Sequence, residues 1–271
     1  STGYRQELSN VLTAPLTEHD RLRVLPEAQI LGGHSEYVTS ATWSPDATHI
    51  LTGSQDGTAR IWDATTGDNT LTLTNAHTVT AVAWSPDRTH ILTACADGTA
   101  RIWDTTTGDN TLTLTHTNSV TAFAWSPNGT HILTATRGGA AYIWDATTGD
   151  NTLTLTHTNA HTVTAVAWSP NGTHILTATR DGAAYIWDAT TGNNTLTLTH
   201  NASVTTATWS PDSTHILTAT RDGAAYIWDA TTGNNTLTLT HNASVTTATW
   251  SPDSTHILTA TRDGAAYIWD A

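Results

Sequence analysis

Histidine, hydroxyl and carboxylate side chains recur together along this chain in the combination that acid–base and nucleophilic catalysis uses. His34, Ser54 and Asp56 offer a base, a hydroxyl nucleophile and an acid to orient the base. A second series, His49, His90, His131, His174, His215 and His256, invites a metal reading. The spacing argues against both. Catalysis needs one site with dissimilar roles, whereas these residues return at a near-constant interval in the same local sequence. Zinc ligands sit about 2 Å from their metal, and a series with members some 41 residues apart contains no local H-x-x-x-H pair. The expected readings are therefore structural residues, with turn or surface histidines for the second series. No glycine-rich phosphate loop, C-x-x-C or H-E-x-x-H motif points to a cofactor or metal. No enzyme activity is expected.

The interval itself is the stronger signal. The first tryptophan of each unit falls at Trp43, Trp84, Trp125, Trp168, Trp209 and Trp250, and the second at Trp62, Trp103, Trp144, Trp187, Trp228 and Trp269. The step is 41 residues, except for 43 where Thr158 to His161 carries two more. His200 to Ala230 is identical to His241 to Ala271, which reads as recent duplication. Each unit parses into four short strands. In the first, Val38 to Trp43 alternates and ends at Ser44-Pro45, and His49 to Ser54 is closed by the Asp56-Gly57 hairpin pair. Thr58 to Trp62 follows, then Leu71 to Thr74 with period two. A meander of about 40 residues cannot bury both faces alone, but radial packing of several can.

Ile61-Trp62-Asp63, the Asp56-Gly57 turn and the Gly33-His34 pair resemble the signature of the WD-repeat family, over roughly residues 28 to 271 and six times in register. The resemblance implies an all-β fold, a β-propeller of four-stranded antiparallel blades. It also implies a polar tetrad per blade: the third-strand indole donates to a second-strand hydroxyl, which meets a histidine, which meets the hairpin aspartate. In the first blade these would be Trp62, Ser54, His34 and Asp56, leaving Ser54 no freedom to act as a nucleophile. In the fifth they would be Trp228, Thr220, His200 and Asp222, and in the sixth Trp269, Thr261, His241 and Asp263. Those three blades are expected to be complete. Cys95 replaces the hydroxyl in the second blade, Gly138 replaces the aspartate in the third, and the histidine is displaced to His77 in the second and to His157 or His161 in the fourth. Cys95 itself reads as a small buried hydrophobe.

The expected organisation is one propeller domain over residues 1–271, with six repeats over 35–271. Residues 1–34 are expected to form a degenerate seventh blade, with a closing strand for a six-bladed ring as the alternative. Val11 to Ala14 and Arg21 to Leu25 resemble second and third strands, and Gln29 to His34 takes the place of the last. The final unit reaches Ala271 without its own fourth strand.

Composition narrows the partners. There is no Lys or Met, charged residues make up 12%, and the formal net charge is −13. Nucleic acid and anionic membranes are disfavoured, because counterion release needs clustered cations. One Cys suits a reducing compartment, while six N-x-S/T triplets leave an extracellular one open. The position before the hairpin aspartate reads Gln55, Ala96, Arg137, Arg180, Arg221 and Arg262. Four arginines there form a cationic arc suited to acidic peptide or carboxylate groups, with Tyr37 as an aromatic contact. The expected function is a scaffold for a protein or peptide partner. Its alternative is a self-assembling propeller that forms oligomers or filaments by strand exchange at an unpaired edge.

Overall fold

The computed structural model describes residues 29–157 and 161–271. The chain divides into two compact units, residues 1–32 and 33–271, and the second contains every described strand. The unit starts with β1 (Val38–Trp43), β2 (His49–Ser54), β3 (Thr58–Asp63) and β4 (Asn69–Thr74), which pair in sequence order as one antiparallel sheet. Four more sheets repeat this meander, and the sixth has three strands: β21 (Val245–Trp250), β22 (His256–Thr261) and β23 (Ala266–Asp270). Among the described residues there are no helices.

Local chemistry explains the strand limits. Ser44 donates to the Asp46 carboxylate, which also receives the Thr48 N–H and hydroxyl, and this closes the β1–β2 turn. The hairpin after β2 needs a left-handed residue: Gly57 has φ of +81°, and a Cβ there would stand 3.2 Å from the Asn75 carbonyl oxygen. The turn after β3 is an Asx turn, with the Asp63 carboxylate accepting the Thr65 and Thr66 N–H groups. The fourth strand starts two residues earlier than its alternation suggests. A bulge between Ile61 and Trp62 frees the Ile61 carbonyl, which Asn69 and Thr70 side chains then bond.

In the second to fifth sheets the second strands are buried on both faces, as the sheet interior requires. The cores lie between sheets. Leu51, Ile61 and Leu73 of the first pack on Val79, Val82 and Ile91 of the second, and four further cores join successive sheets to the sixth. Burying a Leu or Ile side chain contributes about 1.5–3 kcal/mol, so these junctions carry most of the hydrophobic stabilisation. Hydroxyls staple them as well: Thr39 donates to the Val79 carbonyl, Thr121 to Val163, Thr164 to Val204 and Thr205 to Val245. Among the described residues, Thr80 bonds only its own sheet at Ala94.

The segments expected to complete a seventh blade, apart from Gln29 to His34, lie outside the described residues. Gln29 to His34, expected as a strand, has no strand pairing. Side chains anchor its end instead: the His34 ring and the Ser35 N–H both bond Asp56.

Candidate functional site: buried indole networks and the hairpin face

The buried networks come first, because they set the hairpins in place. In the first blade the Trp62 indole donates to Thr52 (2.8 Å), the Thr52 hydroxyl donates to His34 Nε2 (2.7 Å), and His34 Nδ1 donates to Asp56 (2.9 Å). The hydroxyl is therefore Thr52, not Ser54. Ser54 instead donates to the Glu36 carbonyl and accepts the Asp56 N–H. Register explains the difference. Ile50 lies opposite Trp62, so Thr52 is its diagonal neighbour, within reach of a large ring, while Ser54 is two residues farther along. Burial alone would raise the Asp56 carboxyl, but hydrogen bonds from Thr58, His34 and Ser35 outweigh it and hold the group well below the usual carboxylate range.

The fifth and sixth blades depart further from the expected tetrads. Trp228 donates to Thr218 and Trp269 to Thr259, not to Thr220 and Thr261. Thr220 and Thr261 donate to Asp222 and Asp263, at 2.5 Å each, so these aspartates close their own hairpins and leave the histidines free of them. His200 and His241 donate from Nδ1 to the Gly182 and Gly223 carbonyls of the preceding hairpins. A carbonyl can only accept, so Nδ1 carries the proton and Nε2 receives the Thr218 or Thr259 hydroxyl. Each histidine thus clamps two blades. The close approach excludes side chains: a Cβ on Gly223 would meet the His241 carbonyl oxygen at 2.7 Å. Among the described residues, then, only the first blade has a complete tetrad.

His116 and His157 make the same clamp to Gly98 and Gly139 in the third and fourth blades. His161, four residues beyond His157, is exposed beside Asp181. In the second blade Asn75, rather than His77, takes the histidine's place, accepting from both Thr93 and Cys95. Burial pushes the Cys95 thiol up, which leaves it a poor nucleophile. Burial also lowers His116, His157 and His200 below the ordinary histidine value, against the raising effect of their carbonyl bonds. Sequence reasoning missed Thr52 and its counterparts; the hairpin register, which pairs residues 53 with 59 and 50 with 62, was the signal that identifies them.

The second histidine series belongs to the β1–β2 turns. The Thr48 hydroxyl bonds His49 Nδ1, and the ring leans on Trp84 of the next blade at 6.4 Å. Among the described residues, no three His, Cys, Asp or Glu side chains group as metal ligands.

The arginine series lies at the β2–β3 hairpins and their equivalents. One backbone bond places each member: the N–H groups of Gln55, Ala96, Arg137, Arg180, Arg221 and Arg262 donate to the carbonyls of Tyr37, Thr78, Ser119, Thr162, Ser203 and Ser244. Tyr37 and Gln55 are thereby brought together, and both are exposed, as are the four arginines. Arg221 and Arg262 line one cleft of about 380 Å3 together with hydroxyls of Ser203, Thr205, Ser244 and Thr246. Among the described residues, none of the four arginines forms an ion pair.

Repeated antiparallel sheets packed face to face, with indole networks tying each hairpin down, define a β-propeller of the repeat type, here of about six blades. The chain belongs to the WD40 family: the family described as "WD domain, G-beta repeat" matches residues 26–63, 67–104, 108–145, 149–188, 192–229 and 233–270. It is similar to THO complex subunit 6 of Arabidopsis thaliana, 57% identical over 35 residues, 13% of this chain and 10% of that protein. It also resembles protein tipD of Dictyostelium discoideum, at 51% over 39 residues, 14% of this chain and 6% of that one. A guanine nucleotide-binding protein subunit beta of Solanum tuberosum is 43% identical over 49 residues, 18% of this chain and 13% of that one. The chain therefore spans only a small part of each of these relatives. WD40 propellers are typically non-catalytic, and the repeats mark this chain as an interaction scaffold.

Proposed function

We propose that this chain is a platform that holds a protein or peptide partner with acidic groups on its hairpin face. Arg137, Arg180, Arg221 and Arg262 supply the cationic arc, with Tyr37 and Gln55 beside it in the first blade. The observation that carries this reading is the cleft shared by Arg221 and Arg262, where two guanidinium groups with no ion pair among the described residues stand beside five Ser and Thr side chains. Forked guanidinium donors match a carboxylate geometrically. The net charge of −13 repels an acidic partner at long range, but beyond about 8 Å such repulsion is screened at physiological salt, so the local arc decides. The same charge disfavours nucleic acid and anionic membranes as partners.

An array of Asp- and Glu-rich peptides tests this. The double substitution Arg221→Ala, Arg262→Ala is expected to weaken retention about tenfold or more, since charge-assisted hydrogen bonds contribute about 1.5–3 kcal/mol each. Arg88→Ala is the control for loss of a cation away from the hairpin face, because Arg88 pairs with Asp46 at the β1–β2 turn. Equal losses in both, or no loss in the double variant, would overturn the reading. A second reading, self-assembly by strand exchange, is favoured by β23, whose outer edge carries no fourth strand among the described residues.

A further inference from the structure

The two ends of the strands differ in charge. The hairpin end, towards which Arg60 and Arg101 are turned by bonds to Thr58 and Asp97, carries six carboxylates and six arginines among the described residues. The opposite face is built from the turns of the β1–β2 and β3–β4 kinds. It carries thirteen aspartates and one arginine, Arg88, among the described residues. Nearly all of the net charge of −13 therefore lies on this turn face. A charge excess of that size draws cationic partners in from a distance, but it does not by itself decide where they are held.

Arg88 shows from within the molecule what such a place looks like. It stands in the turn after the second blade's first strand and pairs with Asp46 of the first blade, across the junction. Asp46 divides its oxygens. Oδ1 closes its own turn by accepting from Ser44 and Thr48, and Oδ2 takes the guanidinium. The slot around the pair, about 520 Å3, is lined by Ile61, Leu71 and Trp84, apolar surface of the kind that arginine stems cover.

The same carboxylate recurs at Asp87 and Asp212, without the cation. Oδ1 of Asp87 accepts from Ser85 and Thr89, and Oδ1 of Asp212 from Ser210 and Thr214. Both residues are exposed, and among the described residues no cation pairs with either. The place of Arg88 is taken by Gly129 across from Asp87 and by Ser254 across from Asp212. All three are left-handed, with φ of +68°, +72° and +62°, so the backbone is alike and only the guanidinium is missing. Hydrogen bonds from Ser210 and Thr214 hold the Asp212 carboxyl down at about 2, and that from Ser85 lowers Asp87, so both are charged at neutral pH. The slot beside Asp212, about 410 Å3, is again lined by isoleucine, leucine and tryptophan: Ile227, Leu237 and Trp250.

We propose that the turn face holds an arginine-bearing segment of a basic protein partner, whose guanidinium groups enter at Asp87 and Asp212 as Arg88 enters at Asp46. This surface lies opposite the arginine arc and goes beyond the reading of the hairpin face, on which it does not depend.

Fluorescence anisotropy of a labelled peptide of alternating arginine and serine, titrated with the 271-residue chain at low salt, tests the proposal. Asp87→Asn together with Asp212→Asn is expected to weaken binding about fivefold or more, the loss of two exposed ion pairs. This variant should fold, because Asn128 and Asn171 close the same turns in the third and fourth blades. Asp68→Asn together with Asp109→Asn removes equal charge from the same face, away from the slots, and should change binding less than about twofold. Gly129→Arg together with Ser254→Arg supplies both cations from within the chain and should weaken binding as the first variant does. Arg88→Ala frees Asp46 and should strengthen it. Arg221→Ala together with Arg262→Ala should leave it unchanged, which separates this surface from the hairpin face. A wild type that does not bind the peptide overturns the proposal, as do equal losses in the two aspartate pairs or undiminished binding when Gly129 and Ser254 are both replaced.

Discussion

Trp187 and Trp209 stand in neighbouring blades, each only 6% exposed, yet their indole N–H groups have different fates. Trp187, on a third strand, donates to Thr177 at 2.9 Å, and Thr177 in turn bonds His157 at 2.8 Å. Among the described residues, Trp209, on a first strand, has a buried N–H with no protein partner, as do Trp84, Trp125, Trp168 and Trp250. Its ring lies 6.2 Å from that of His174 in the preceding blade, so it fills space between sheets without entering a network. The same side chain is a polar node in one strand and apolar bulk in another. A buried donor left unpaired costs about 1–3 kcal/mol. The junction tolerates that cost because the large ring also removes much apolar area from water.

The largest effect that sharpens this contrast is expected from Thr177→Val. It strands both the Trp187 N–H and His157 Nε2, and should destabilise the chain by about 2–4 kcal/mol in urea unfolding. Trp187→Phe should cost about 1–3 kcal/mol through the lost bond and lost volume. Trp209→Phe should fall within about 1 kcal/mol of neutral, because relief of the unpaired donor offsets the lost volume. Equal costs for the two tryptophan substitutions would break the contrast.

The histidine clamps set a smaller, pH-dependent effect. His116, His157 and His200 titrate below the ordinary value of 6.5 in the folded state because burial disfavours their charged form. Between the folded and unfolded values the unfolded chain binds more protons, so stability rises with pH there. This contribution is complete above about pH 6.5 and is lost as pH falls below it. Urea midpoints should therefore drop between pH 7.5 and 5, well above the range in which Asp56 protonates. A midpoint that is flat across this interval would show that the clamps do not set the pH dependence.

The smallest expected effect is in the β1–β2 turns. Ala47 has φ of +57°, a left-handed conformation that costs a residue with a Cβ about 1–2 kcal/mol, whereas Gly129 and Gly172 occupy the same position in the third and fourth blades. Ala47→Gly should stabilise thermal unfolding by up to about 1 kcal/mol, since the added freedom of the unfolded chain takes back part of the gain.

Much of this architecture was legible residue by residue. Alternation in Val38 to Trp43, Ser44-Pro45, Asp56-Gly57 and the Thr-Thr-Gly turn are local features, and strands formed within a residue or two of where they indicate. The networks were legible in type only. A hydroxyl, a histidine and an indole were all expected in contact, but Ser54, Thr220 and Thr261 were expected where Thr52, Thr218 and Thr259 serve. Alternate residues of a strand share a face, so composition alone leaves Thr52 and Ser54 equivalent until register separates them. For the hairpin face, the sequence placed the arginines before the turn, and the packing of blades five and six brought Arg221 and Arg262 to one cleft.

By itself, then, the sequence determined what is local or periodic: the strands, the turns, the 41-residue unit and the all-β class. The tertiary structure alone decided whatever lies between blades. His200 turns from Asp222 to the Gly182 carbonyl because the preceding hairpin comes within hydrogen-bond reach of it. Trp209 finds no protein partner among the described residues, because its surroundings are supplied by another sheet. Neither neighbour is close in sequence, and only packing brings them together.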